Sequence, residues 1–286
     1  MKQVLLDNLL SLGVGLVVLV FVFVPLERLF AARKQPFLRP EFRIDLTFLA
    51  GQYLVFATVV SLGLRALYDR TLAFEPLAPL QAQVSSLPIW TQALLAAAIG
   101  DFLIYWFHRA CHHFDVLWRF HAVHHSVEHL DWLAAHREHP LDGIFTQLFL
   151  NLPGILLGVD FRALGALIVF RGMWAIFIHS NVRMNVGPLR WVFGAPELHH
   201  WHHARVRYTA HNFANLGPYW DLVFGTYHRP VSREETYPLG LEPDETLGVW
   251  PRGYVAQLLR PFVGRTLAER VLRWVEPPSL ARSPAE

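Results

Sequence analysis

All sixteen histidines of this 286-residue chain lie between His108 and His228, and most fall in three short runs: HRACHH (108–113), HAVHH (121–125) and HHWHH (199–203). Neutral imidazole is the commonest protein ligand for transition metals, so the clustering points to metal chemistry. The runs are spread too widely for a compact finger and suit a site assembled from several helices. His108 and His112 are four apart, which places them about 40° apart on one face of a helix turning about 100° per residue. They can share a metal. Extending that face backward reaches Tyr105 and Asp101, and Asp101 is expected to accept the ring N–H of a ligand imidazole, fixing its tautomer. His113 points away from this face.

His121, His124 and His125 form one HxxHH trio and His199, His202 and His203 form another, each fitting one side of a helix. His200 is one residue off that pattern and reads as a packing or substrate-side residue. His129, His211 and His228 read as surface or hydrogen-bonding residues, while His136, His139 and His179 are further candidate ligands. The lone Cys111 rules out an intramolecular disulfide and a thiolate metal site, and reads as a small buried hydrophobe.

The elements that must carry these residues are apolar. Hydrophobic residues make up 53% of the chain and charged ones only 17%, so a bilayer is the natural solvent. Residues 8–26, 46–64 and 143–159 are free of charge and close to the ~20 residues needed to cross the hydrocarbon layer. Two further stretches, 88–107 and 163–178, cross only if Asp101 and Arg171 are turned into protein, and such residues are usually functional. The first stretch lacks a small-residue cleavage site and reads as a retained anchor. Arg28, Arg33, Lys34, Arg39 and Arg43 follow it within a short loop, read as membrane-surface anchors, and by the positive-inside rule this loop is cytoplasmic. Counting crossings from there puts every histidine on the cytoplasmic side.

The expected fold is therefore an all-α integral membrane protein with about four or five transmembrane helices and a cytoplasmic helical cap carrying the histidine runs. A single membrane domain, 1–286, is the simplest organisation: transmembrane helices over 1–94, the histidine region over 95–228 and a polar tail over 229–286. Residues 66–87, with Pro76 and Pro79, read as a loop on the far side. Within the tail, Leu267, Val271, Leu272 and Trp274 suggest a short amphipathic helix, and the last ten residues read as disordered. A net charge of +2, with no basic run interleaved with aromatics, argues against a nucleic-acid partner.

Taken together the motifs resemble the fatty-acid hydroxylase and sterol desaturase superfamily of membrane di-iron oxygenases. DFLIYWFHRACH (101–112), WRFHAVHHS (118–126) and ELHHWHH (197–203) are similar to its three histidine boxes. AAHREHPLDG (134–143) resembles the HxxHP segment of sterol desaturases, IHSN (178–181) the family's intermediate histidine, and NFANLGPYWDLVFGT (212–226) its closing stretch. The chain departs from the usual pattern at Ala210, His211 and Ala214, where an acidic residue and a glycine are customary.

The resemblance implies that His108, His112, His121, His124, His125, His199, His202 and His203 ligate two irons, with His179 as a ninth ligand. It implies O2 as co-substrate and hydroxylation or desaturation of a membrane lipid, either sterol-like or fatty-acyl, with HREHP favouring the sterol. Iron with O2 is a common solution for C–H bonds that acid–base chemistry does not touch. No fused haem- or flavin-binding segment is visible, so the reductant is expected to be a separate electron-donor protein. Two other readings compete: a metalloprotease built on the HxxEH pattern His125–His129 with Glu128 as base, and a metal transporter whose histidines line a path.

Overall fold

The computed structural model describes residues 2–184, 187–205, 211–229, 237–241 and 253–262. The amphipathic pattern around Leu267 and the last ten residues lie outside them, as does Ala210. Among the described residues the chain is helical, with no strand and only two isolated bridges, Ala31 with Val182 and Ala204 with Leu239.

Among the described residues four helical stretches are long and apolar enough to cross a bilayer: Leu6–Leu29, Phe42–Leu72, Ile89–His113 and Phe161–His179; the stretch expected over 143–159 is not among them, because its helix stops at 17 residues. The first lies within α1 (Lys2–Leu29), whose side chains face outward as lipid-facing ones do, Leu10 at 68% and Phe21 at 76% exposed. The second is α2 (Phe42–Gly51) and α3 (Ala57–Leu72), joined without a break by a π-helical turn over Gln52–Phe56. Asn8 of α1 donates to the Leu54 carbonyl inside that turn at 2.9 Å, satisfying it away from water.

The segment expected as a far-side loop is largely helical. α3 runs on to Leu72, a 3-10 turn covers Glu75–Leu77, and α4 covers Ala78–Ser85. The prolines do not break these turns because each stands in a first turn, where a missing N–H costs nothing.

α5 (Ile89–His113) is the central spine. Against it packs α7 (Pro140–Leu156), an apolar helix of 17 residues, and then α8 (Phe161–His179). Gly100 of α5 allows this close approach, since a Cβ there would sit 2.5 Å from the Leu150 carbonyl oxygen. Asp101 and Arg171 are both turned into protein, and the Arg171 guanidinium donates to the carbonyls of Leu150, Ala96 and Ala97. Tyr68, Val84, Ala96, Ile155 and Leu164 form an apolar core at the far end of the bundle. A second core, with Leu19, Phe23, Leu49, Trp132, Leu133 and Ile176, underlies the histidine end.

At that end lie the short elements of the cap. They are α6 (Asp115–His125), the 3-10 turns Ala134–His136 and Gly187–Trp191, α9 (Pro196–His202) and α10 (Tyr219–Phe224). Part of the C-terminal region packs here too: α11 (Tyr254–Leu259) lies against α2, and Phe262 meets the rings of Phe120 and His139. Not all the basic residues of the first loop are surface anchors. Arg39 is 2% exposed, because Asp45 and Asp131 hold its guanidinium inside the fold.

Candidate metal centre

Helix ends position the rings. The last turns of α5 carry His108 and His112, and the extended backbone of Phe114 then turns the chain into α6, which brings His121, His124 and His125 back over them. The last residue of α8 is His179. α9 starts on Pro196 at its first position and delivers His199 and His202, with His203 at its C-cap.

The nine rings sort into two groups. His108, His112, His121, His125 and His202 bring one ring nitrogen each to within 4.8 Å of one another, and His124, His179, His199 and His203 do the same. The trios are divided in a way their spacing does not suggest. In each HxxHH run the pair four apart stays together (His121 with His125, His199 with His203), and the third ring crosses to the other group. The groups adjoin, with the His125 and His203 rings stacked at 4.4 Å between centroids.

Outer hydrogen bonds fix the tautomers. The Nδ1–H groups of His108, His202 and His124 donate to the carbonyls of Phe213, His211 and Arg137 at 2.9, 2.7 and 3.0 Å. His179 donates to its own helix at Ala175, 2.6 Å away, and the Asp142 carboxylate takes the Nδ1–H of His121 at 2.8 Å. A carbonyl only accepts, so each of these neutral rings carries its proton on Nδ1 and turns a bare Nε2 inward.

Those bare nitrogens provide the test of fit for a metal. In the five-histidine group the Nε2 atoms of His108, His112, His121, His125 and His202 are all buried without a hydrogen-bond partner, a costly state that a bound cation relieves. In the four-histidine group Nε2 of His179 lies 2.9 Å from that of His124 and 2.8 Å from that of His199. For His124 and His179 this sets lone pair against lone pair, which a cation between them turns into attraction. Five nitrogen donors exceed the tetrahedral set of structural zinc and match a metal of higher coordination such as iron. The residues fit two metal ions.

Burial keeps the cap rings neutral. It holds His124, His125, His199 and His203 well below the usual imidazole range, and neighbouring rings push the same way; His202 falls to about 3. Neutral imidazole is the form that binds a metal.

Asp101 does not take its expected place. It lies on the same face of α5 as His108, but seven residues back, about 10 Å along the axis, too far for a hydrogen bond. Its Oδ1 instead accepts the Leu216 N–H at 3.0 Å. The imidazole-binding carboxylate is Asp142, 21 residues from His121 in sequence, which spacing alone could not reveal; its place in the first turn of α7 was the available signal.

Asp221 was also missed. Its carboxylate accepts the N–H groups of Phe213 and Ala214 and the Thr226 hydroxyl, stiffening the loop whose Phe213 and His211 carbonyls hold His108 and His202. Asn212, at φ 59°, ties the same loop to the Leu198 and His228 carbonyls.

The remaining histidines have other partners. His113 is exposed, and the buried His200 donates Nε2–H to the Ser180 carbonyl. His136 donates to the Gln52 amide oxygen at 2.7 Å, and His139 caps α7 by accepting the Leu141 N–H. His228 stacks on Trp201. His129 lines a surface groove away from His125, so the HxxEH pair does not form a shared site. Both groups sit at helix ends and in the cap, which leaves the transport path without a row of histidines along the spans.

Residues 93–226, which include both groups, match the fatty acid hydroxylase family model. A very-long-chain aldehyde decarbonylase of Oryza sativa subsp. indica is 30% identical over 186 residues, covering 62% of this chain and 68% of that protein. The chain belongs to the fatty acid hydroxylase family. Among other relatives, an ornithine lipid hydroxylase of Rhizobium tropici is 36% identical over 181 residues, 61% of this chain and 51% of that protein. Human alkylglycerol monooxygenase is 33% identical over 139 residues, 48% of this chain and 30% of that protein. The chain thus spans about half the length of the first of these two and under a third of the second. No solved structure matches.

Proposed function

We propose that this chain is an O2-dependent di-iron oxidoreductase that hydroxylates or desaturates a membrane-embedded lipid. One observation carries the reading: nine buried or half-buried histidines form two adjoining donor sets at one end of a bundle of apolar helices. His108, His112, His121, His125 and His202 hold one iron, and His124, His179, His199 and His203 hold the other. The chain acts as one membrane domain. The histidine end faces the cytoplasm, where a separate electron-donor protein supplies reductant.

A bound iron pair supplies, with O2, the oxidising power that an unactivated C–H bond demands. The protein's part is to hold, aim and exclude water. Asp142 and the carbonyls of Phe213, His211, Arg137 and Ala175 keep five Nε2 atoms deprotonated and pointed inward, so no proton must leave before metal binds. Neutral nitrogen donors leave the metals electrophilic. Burial of the rings keeps bulk water from the reacting centre. Asp101 acts through the loop it anchors at Leu216, as a positioning residue.

The hydroxylase and the monooxygenase among the relatives favour hydroxylation of a polar lipid, while sterol desaturases at 31% and 32% identity support a sterol substrate and desaturation as the second reading. The sterol preference attached to HREHP carries less weight, since His136, Arg137 and His139 are each engaged in holding helices together. Metal analysis of the detergent-purified chain, followed by reduction and O2 exposure, tests the assignment. About two irons per chain with O2 uptake are expected; a single tightly held zinc without O2 uptake overturns it. Lipid profiles of cells carrying wild type or His121→Ala then identify the substrate as the species that accumulates unmodified.

A further inference from the structure

Arg137 stands beside the four-histidine group without lending a ring to it, and it is fully buried. Its two ends do different things. The carbonyl accepts the His124 Nδ1–H at 3.0 Å, while the guanidinium reaches the other way, Nε to Asp45 at 2.5 Å and NH1 to Glu41 at 3.3 Å and to the Ser126 carbonyl at 3.4 Å. Asp45 is shared, its second oxygen lying 2.7 Å from Arg39. Arg39 in turn grips both oxygens of Asp131 at 2.6 Å, and Asp131 accepts the N–H groups of Leu133 and Ala134 that open the turn leading to Arg137. Glu41 joins only by holding φ at 70°, a left-handed conformation that non-glycine residues seldom adopt.

Two arginines and three carboxylates are thus gathered where apolar packing would serve stability as well or better, since buried ion pairs rarely outdo hydrophobic side chains of similar volume. What the network supplies is a fixed position for one carbonyl. The five-histidine group takes no ring hydrogen bond from it: the acceptors there are Asp142, Phe213 and His211.

We infer that the Arg39–Asp45–Arg137–Glu41 network is a positioning device for one metal of the pair, fixing the Arg137 carbonyl and through it the tautomer and aim of His124. The inference rests on the two-metal reading. Its prediction is selective: loosening the network weakens the four-histidine site and spares its neighbour, which general destabilisation of the fold does not do.

Cobalt(II) titration of the metal-free full-length chain in detergent, read by visible absorption and by metal content after desalting, tests this. Wild type is expected to take two equivalents. In Asp45→Asn one equivalent binds as in wild type and the other is weakened about 10- to 100-fold, the usual cost of losing outer-shell support. His124→Ala weakens the same equivalent, and adding Asp45→Asn to it changes metal binding no further. Glu41→Gln, at the partly exposed edge of the network, keeps the Asp45 bridge and should weaken that equivalent more mildly; it decides the matter if Asp45→Asn does not fold.

Equal weakening of both equivalents, an unchanged second equivalent, or a further loss in the His124→Ala background overturns this inference alone. A wild-type chain that takes fewer than two equivalents overturns the two-metal reading and this inference with it.

Discussion

Around the five-histidine group, three rings give their outer N–H to acceptors on two different elements, and one acceptor is a carboxylate, Asp142. Around the four-histidine group the outer acceptors of His124 and His179 are backbone carbonyls, one from a buried ionic network and one from the turn of α8 below it. The two sites therefore draw on different supports. A carboxylate raises the basicity of its imidazole and brings negative charge beside the metal, whereas a carbonyl contributes geometry with only a dipole. The five-histidine site should bind its metal more tightly, and the four-histidine site should be the one whose occupancy depends on how the cap is packed.

The harshest way to break this comparison is to take one ring from each group. His112→Ala and His179→Ala are both expected to abolish lipid oxidation, measured as product formed in reconstituted membranes. A His179→Ala protein that keeps turning over would reduce the four-histidine group to a structural element.

Acid probes the rings in a different way. Burial holds His136 at about 4, below the ordinary value of 6.5, so the unfolded chain takes up this proton first as pH falls. The stability this group contributes is complete above about pH 6.5 and is lost as pH drops towards 4. The full difference is about 3 kcal/mol. The buried cluster rings of α6 and α9 shift in the same direction. Metal loading should protect those rings but not His136, which has only the Gln52 amide. Thermal melts of metal-free and metal-loaded protein from pH 7 to pH 4 measure this, and His136→Gln should flatten the slope in both forms.

Asp142→Asn sharpens the comparison further. It should lower metal affinity at the five-histidine site about 10- to 100-fold while leaving the other site as in wild type. A loss confined to the four-histidine site would reverse the assignment of supports. At the bottom of the scale, His113→Ala should leave metal content and activity unchanged, because this exposed ring meets Phe114 and neither group.

Much of this was legible in the sequence because helices translate spacing into direction. The i, i+4 relation puts His108 and His112 on one helix face, and the structure brings them into one group, while His200, one residue off the pattern, lies in neither. Four of the five apolar stretches fall on the spans, with Asp101 and Arg171 turned inward, whereas 143–159 does not: its helix, α7, is only 17 residues long. What spacing could not carry was anything decided between elements. Dividing each HxxHH run between two groups depends on where α6 meets α8 and α9, and Asp142 reaches His121 only through the packing of α7 on α5. The reading of Arg39 as a surface anchor failed for the same reason, since its acidic partners Asp45 and Asp131 are 6 and 92 residues away. Pro76 and Pro79, expected in a loop, each stand in the first turn of a helix, where proline is a starter.

α9 has a consequence for the order of events during synthesis. It gives a ring to each group: His202 to one, His199 and His203 to the other. One set is complete only once the ribosome has passed residue 202 and the other only once it has passed residue 203, by which time the four spans found among the described residues have been made. On the two-metal reading, cofactor loading is expected only after these spans have been made. A nascent chain stalled earlier offers the cell only partial, open chelators, unable to enclose a redox-active ion.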